Sequence, residues 1–295
     1  MDGFPNERAV TERIGIVAGG GSLPMIVAKA ARERGMDPIF ARFSDGITNG
    51  SIEGPSRAFT WGEVGDAIEW LRREKVTKLV MCGTISSRPD FRSVLPSLRT
   101  LASLPAMFAI TRGGDDSMLR KGSRFLEGKG FELLPVQEIA PRLLAPEGLL
   151  TSRAPNDAER AALRKAHRAA VTLGALDAGQ AVVASNERII AMEGIEGTRD
   201  MMQRVAELRA VRKIGRAEKL ALVKALKPGQ DQRFDLPSIG IMTIEEAVAA
   251  GITSIGVSAL GSLIIGFEDV LDAANRAGIA LTGLSTNDVQ DGARA

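Results

Sequence analysis

Arg13-Ile14-Gly15-Ile16-Val17-Ala18-Gly19-Gly20-Gly21-Ser22-Leu23-Pro24 decides the fold class. A short apolar run enters three glycines, and residues 25–34 follow with helical spacing as far as Gly35. Strand, glycine loop and helix in that order is how α/β proteins turn backbone N–H groups and a helix N-terminus towards phosphate. The pattern departs from the dinucleotide fingerprint. Counting from Gly19, the sixth position is Pro24, where that motif needs Gly or Ala. Arg42, not an acidic residue, closes the second strand at 38–42. The loop therefore reads as a seat for a different phosphate ligand or as a structural tight turn, ahead of a nicotinamide cofactor.

Outward from this unit, a continuous apolar run, Lys78-Leu79-Val80-Met81-Cys82, predicts a buried parallel strand. It leads into Gly83-Thr84-Ile85-Ser86-Ser87-Arg88-Pro89-Asp90-Phe91. Ligands in open α/β sheets sit outside the carboxyl ends of strands, so the two loops are expected to face one crevice. Asp115 and Asp116 follow Gly113-Gly114. Adjacent carboxylates there suit the positive end of a helix dipole, or alternatively a hard-cation site. Residues 131–136 predict the last strand of this half.

The 295 residues suit two domains, and 44% hydrophobic with 25% charged content is that of an ordinary globular protein. Both halves read as α/β. We expect an N-terminal Rossmann-like domain with a mostly parallel sheet over 1–142 and a proline-containing linker over 143–155. A C-terminal α/β domain with a mixed sheet is expected over 156–295. The mixed sheet follows from two β runs, 179–185 and 188–192, joined by Asn186-Glu187. Apolar runs are too short to span a bilayer, no basic end with an apolar run opens the chain, and one cysteine excludes an internal disulfide. A cytoplasmic protein is expected. A formal charge of +2, no tyrosine and two tryptophans argue against a nucleic-acid partner. Basic residues cluster locally from Arg204 to Lys227 with helical spacing. They form either a solvated face or an attraction for phosphate or an anionic membrane surface.

The chemistry is expected in Lys227-Pro228-Gly229-Gln230-Asp231-Gln232-Arg233-Phe234-Asp235-Leu236-Pro237-Ser238-Ile239-Gly240. Two carboxylates four residues apart are bracketed by Lys227 and Arg233, on backbone stiffened by two prolines. The segment reads as a loop entering a strand over 238–242, and equally as a salt-bridged surface turn. Thr198 is a candidate N-cap beside free N–H groups, and residues 243–246 read as a capping box. His167, the only histidine, lies within a helix, and Cys82 within an apolar strand, so both read as packing residues. A single histidine cannot build a histidine-rich metal cluster or serine-protease machinery. Carboxylate, metal and basic-residue work on phosphate is what remains.

Several segments together, in order along nearly the whole chain, resemble a known family. They are residues 15–24, Ser87-Arg88-Pro89-Asp90-Phe91, Gly114-Asp115-Asp116 with Leu119-Arg120, Glu196-Gly197-Thr198, and the stretch from Lys227 to Gly240. The family is the two-domain UDP-2,3-diacylglucosamine pyrophosphatases of Gram-negative lipid A synthesis, distinct from the calcineurin-like enzymes. The resemblance implies hydrolysis of UDP-2,3-diacylglucosamine to UMP and 2,3-diacylglucosamine 1-phosphate, by water attacking the sugar-side phosphorus. It implies a lipid-linked nucleotide-sugar substrate held between the two domains, and a cofactor of the Mg2+ or Mn2+ type. The family's essential aspartate matches Asp235. Under this reading Asp235, Lys227 and Arg233 are the catalytic set. Gly19, Gly20, Gly21, Ser22, Leu23, Arg88, Asp90, Gly197, Thr198 and Gln230 bind substrate. Asp235, Asp231, Asp115 and Asp116 are the candidate metal ligands. Peripheral contact with the inner-membrane surface and a homodimer belong to the same set of expectations. The rival functions are a non-catalytic nucleotide-sugar binding protein and a nicotinamide-dependent oxidoreductase.

Overall fold

The computed structural model describes residues 12–43, 54–84, 95–101, 103–110, 115–233 and 236–285, with 115 and 116 described by backbone only. The chain divides into two compact units, Met1–Pro141 and Arg142–Ala295. Both are α/β, as the sequence predicts.

In the first unit β1 (Arg13–Ala18) leads through the glycine loop into α1 (Leu23–Glu33) and then β2 (Asp37–Phe43). After β3 (Ser56–Phe59) come α2 (Val64–Arg73) and β4 (Lys78–Cys82). Three helices, α3 (Leu98–Leu101), α4 (Leu104–Ile110) and α5 (Asp115–Glu127), precede the short β5 (Glu132–Leu133) and α6 (Val136–Ile139). The sheet order is β3-β2-β1-β4-β5, and every pairing is parallel. α1 starts two residues earlier than the spacing predicts. Pro24 is tolerated in the first turn, where its missing N–H would have no partner anyway.

The chain winds outward from β1 to β3 and then crosses back to β4. Right-handed crossovers therefore place α1 and α2 on opposite faces of the sheet. Gly15 faces α2, since a Cβ there would meet the Leu71 side chain at 3.1 Å. Phe59 lies against Trp70 of α2, their ring centroids 5.6 Å apart. Phe43 is in register with Phe59 and shares that face. Ala18 and Arg42, themselves in register, point to the other face.

The order turns back between β1 and β4, and the loops leaving these two strands are locked together. Gly19 N–H donates to Cys82 O (2.9 Å), Gly20 N–H to Thr84 O (2.7 Å) and Thr84 N–H to Gly20 O (2.9 Å). A Cβ on Gly19 would lie 2.6 Å from Thr84 O, and one on Gly83 would lie 2.7 Å from Gly20 O. Gly83 also has φ +97°, a region L side chains avoid.

The second unit opens with β6 (Gly148–Leu149) and α7 (Asp157–Ala175). The hairpin β7 (Ala181–Ala184) and β8 (Ile189–Met192) leads to α8 (Gly197–Ala210) and β9 (Leu220–Lys224). Next come β10 (Ser238–Ile239), α9 (Ile241–Ala249), β11 (Ile252–Ser258), β12 (Leu263–Ile264), α10 (Phe267–Ala277) and β13 (Ala280–Leu284). Six strands form one sheet, ordered β6-β13-β11-β9-β7-β8. β9, β11 and β13 run parallel, while β6, β7 and β8 pair antiparallel, giving the mixed sheet predicted from the hairpin. β10 and β12 make a separate parallel pair. On one face α7 lays Ala162, Ala166 and Ala170 against Val182, Ala221 and Val223. The larger core, with Met201, Met202, Ile244 and Val270, packs on strands that include Leu222 and Ile255.

Residues 143–155, expected as a linker, include β6, which extends the second sheet beside β13. Their end is fixed to the unit by one ion pair. Arg153 forks onto Glu159, Nη1 to Oε2 at 2.8 Å and Nη2 to Oε1 at 3.1 Å. It also donates from Nε to Gly278 O at 2.6 Å and from Nη2 to Thr253 O. Glu159 closes a capping box with Asn156 at the start of α7. Burial pushes the Glu159 carboxyl up, but the hydrogen bonds from Arg153, Thr253 and Asn156 outweigh it and hold the group below its ordinary range.

Three local expectations change. The strand at 238–242 stops at Ile239, because Gly240 is extended and its N–H is taken by Thr243 Oγ1 at 3.3 Å as α9 begins. Thr243 thus lies inside the helix it was expected to start. The helical spacing of the basic cluster ends at Ala210, and Arg212 (φ +60°) turns the chain towards β9.

Gly83→Ala should lower unfolding free energy by roughly 2 kcal/mol or more, because it adds both a collision and an unfavourable φ; an unchanged urea midpoint would show that the two loops give way. Glu159→Ala should cost about 3 kcal/mol, the low end for breaking a buried pair, since Arg153 keeps some solvent. A carboxyl lowered on folding stabilises above its unfolded pKa, and that stability is lost as pH falls through the folded value. Glu159→Gln should therefore lose less stability than wild type between about pH 5 and pH 3, measured by urea denaturation.

Candidate functional site

The chain leaves the carboxyl end of β9 into the segment that sequence singles out. The Lys227 N–H donates to Gln230 Oε1 (3.0 Å) and the Gln230 N–H to Lys227 O (3.1 Å), closing a tight turn around Gly229 at φ +72°. Gln230 is buried, and its amide oxygen braces this turn. Leu226 N–H donates to Ser258 Oγ at 2.9 Å and Lys224 Nζ to Ser238 O at 3.0 Å, which ties both ends of the segment to the sheet. Beyond the turn, Leu236 and Pro237 are buried, and Pro237 O accepts from Leu263 N at 2.8 Å. Phe234 and Asp235 lie outside the described residues, between flanks that are fixed on both sides.

The charges here are paired. Lys227 Nζ sits 2.8 Å from Asp177 Oδ1, and its stem crosses Gly174 of α7, where an added Cβ would meet Lys227 Cγ at 3.1 Å. Asp177 holds φ +53°, an uncommon conformation for a side-chain-bearing residue. Arg233 forks onto Asp231, Nε to Oδ1 at 3.0 Å and Nη2 to Oδ2 at 2.8 Å, while its N–H also donates to Oδ1 at 3.1 Å. A carboxylate two residues before an arginine can form this bidentate pair across its own turn. The expected metal ligand Asp231 and the expected phosphate binder Arg233 thus neutralise one another. Asp177 was not foreseen; its partner is fifty positions away in sequence.

Gly197 and Thr198 lie close by in the fold. Glu193 Oε2 accepts from the N–H groups of Gln180 (2.9 Å) and Ala181 (3.0 Å), and Gln180 O accepts from Ala225 N at 2.9 Å. The other Glu193 oxygen takes the Thr198 hydroxyl. Thr198 is therefore not the N-cap; that position is Glu196, which pairs with Arg204 at 3.2 Å. Two carboxylates at the start of α8 work against the anion site expected there. Glu193, the residue that organises this corner, carries no sequence signal beyond its place between a β run and Gly194.

In the first unit, Gly19 and Gly20 have spent their N–H groups on the loop from β4. Among the described residues, the N–H groups of Gly21, Ser22 and Leu23 donate to nothing. The N–H groups without an acceptor among the described residues are thus those at the start of α1 and not those of the first two glycines. Cys82 is buried, and burial pushes its thiol up to about 12, in keeping with a packing role. His167 is likewise buried on α7. Arg88 and Asp90 lie outside the described residues, and Asp115 and Asp116 open α5. Among the described residues, no three His, Cys, Asp or Glu side chains converge as a metal site would require. No helix among them is long and apolar enough to cross a membrane.

The chain matches known families in both halves. Residues 13–143 match the LpxI N-terminal domain, and residues 146–282 the LpxI C-terminal domain. A protein of Caulobacter vibrioides, UDP-2,3-diacylglucosamine pyrophosphatase LpxI, is 34% identical over 275 residues, covering 92% of this chain and 97% of that protein. A solved structure, CobK precorrin-6A reductase, is 13% identical over 93% of this chain and 88% of its own, with a TM-score of 0.32, too distant to speak to this chain's chemistry. Both family matches run in order along the chain, and the Caulobacter protein aligns from end to end, so this chain belongs to the LpxI family.

Proposed function

We propose that this chain hydrolyses the diphosphate bond of UDP-2,3-diacylglucosamine, releasing UMP and 2,3-diacylglucosamine 1-phosphate for lipid A synthesis. The observation that carries this reading is the 34% identity, over 92% of the chain, to a protein named for that activity. In the proposed step a water oxygen bonds to the sugar-side phosphorus, the bridging P–O bond breaks, UMP departs, and Asp235 takes the water's proton.

The rest of the site is assigned by charge and reach. Lys227 and Arg233 supply positive charge to the diphosphate. Both are held in ion pairs, with Asp177 and Asp231. Both pairs are only partly buried, with Asp177 and Arg233 keeping contact with solvent, so an entering diphosphate would compete with Asp177 and Asp231 for the two cations. The N–H groups of Gly21, Ser22 and Leu23, at the positive end of α1, offer three donors to a phosphate oxygen. With Asp231 occupied by Arg233, the described residues do not build a cation site. The proposed cofactor, Mg2+ or Mn2+, would rest on Asp235 and substrate oxygens, where it would neutralise the leaving phosphate. The two acyl chains make the inner-membrane surface the place where a chain without a described membrane-crossing helix meets its substrate.

Incubating the purified protein with UDP-diacylglucosamine and Mg2+ should release UMP, and absence of UMP with either Mg2+ or Mn2+ would refute the reaction. Asp235→Ala should fold and lose at least about 100-fold in rate, the usual minimum for a direct base or ligand. Near wild-type turnover would remove Asp235 from the mechanism. Chelation with EDTA should abolish turnover and added Mg2+ restore it; full activity in EDTA would exclude the cation.

A further inference from the structure

Among the described residues, Arg42 is a half-buried arginine without a carboxylate partner, unlike the exposed arginines that also lack one. Arg13, Arg99, Arg153, Arg160, Arg188 and Arg233 each pair with a carboxylate. Arg42 is half-buried at the carboxyl end of β2, its Nε is shut off from solvent without a hydrogen-bond partner, and no ion pair takes its guanidinium among the described residues. Leaving a charged donor partly desolvated and unmatched is unfavourable in a protein on its own. The fold nevertheless holds it there, on a strand of the central parallel sheet.

Its surroundings suit an anion. Arg42 is in register with Ala18, so the two lie one strand spacing apart, about 4.8 Å, on the face opposite α2. Ala18 leads directly into the glycine loop, and four residues later Ser22 starts α1 with the unused N–H groups of Gly21, Ser22 and Leu23. Gly19 and Gly20 are locked against Thr84, so the loop cannot close over this end of the sheet without breaking their hydrogen bonds. The Arg42 guanidinium and three N–H donors then stand at neighbouring strand ends without an acceptor among the described residues. Dinucleotide-binding folds place a carboxylate at this strand end to hold a ribose hydroxyl; an arginine reverses the preference in favour of phosphate oxygens.

We propose that Arg42 is a substrate-binding residue that holds a phosphate oxygen of the nucleotide. The proposal rests on the reading of the chain as a nucleotide-sugar hydrolase, but its test does not depend on turnover. The full-length protein would be titrated calorimetrically with UDP and with inorganic pyrophosphate, alongside Arg42→Met and Arg42→Lys. Wild type should bind both probes. Arg42→Met, which keeps the stem and removes the charge, should weaken them at least about tenfold, the loss of one charge-assisted contact. Arg42→Lys should fall between the two. The melting temperature of Arg42→Met should equal or exceed wild type, because no protein partner is lost. Unchanged UDP binding in Arg42→Met, absence of binding in wild type, or a fall in melting temperature shared by both variants would overturn the assignment. UMP release from UDP-diacylglucosamine is scored separately: its absence with Arg42-dependent UDP binding intact would sink the reaction and leave the anion site standing.

Discussion

Gly19 and Gly83 pass one another with no room for a Cβ on either side. This close approach lets the loops from β1 and β4 pair through Gly20 and Thr84, extending hydrogen bonding beyond the point where the sheet order turns back. At such a turning point the strands on either side leave in opposite directions, and a crevice opens unless a loop fills it. Here Gly19, Gly20 and Thr84 are bonded to one another's loops, and among the described residues the N–H groups at the start of α1 have no acceptor. Any larger residue at position 19 or 83 would push the loops apart and move α1 with them. The position of α1 in the first unit thus depends on one contact between two glycines.

The second unit solves a different problem, that of holding many charges near the carboxyl end of β9 without leaving any unmatched. Lys227 meets Asp177, Arg233 meets Asp231, and Glu193 gathers two backbone N–H groups and the Thr198 hydroxyl. Each arrangement fixes a side chain at the cost of its availability. Gln230 shows the same trade, since its amide braces the turn that positions Lys227. The side chains of this segment are therefore preorganised by their pairings.

The architecture was legible because its signals are local. Continuous apolar strands, a glycine loop before a helix, and a two-residue hairpin each follow from a few neighbouring residues. Features set by contacts between distant segments were not. Nothing near Asp177 announces Lys227, and nothing near Glu159 announces that Arg153 will anchor the segment before α7. Thr198 followed by a helical run has the composition of a cap, yet Glu193 captures its hydroxyl from the end of β8. Gly19 and Gly20 look like phosphate donors in sequence, but Thr84 and Cys82, more than sixty positions on, accept their N–H groups. Asp235 was singled out by family resemblance, not by residue chemistry, because Asp231 offers the same functional group in the same loop.

Asp231 and Asp235 differ in their place relative to Arg233. An aspartate that precedes an arginine by two residues can turn back onto it, as Asp231 does with both oxygens. Position 235 follows Arg233 by two and precedes Leu236 and Pro237, which are buried. Pro237 has no N–H to offer and restricts the residue before it to extended backbone. Proton transfer or cation binding requires a carboxylate that remains uncommitted, and the bidentate pairing of Asp231 with Arg233 removes the nearer alternative.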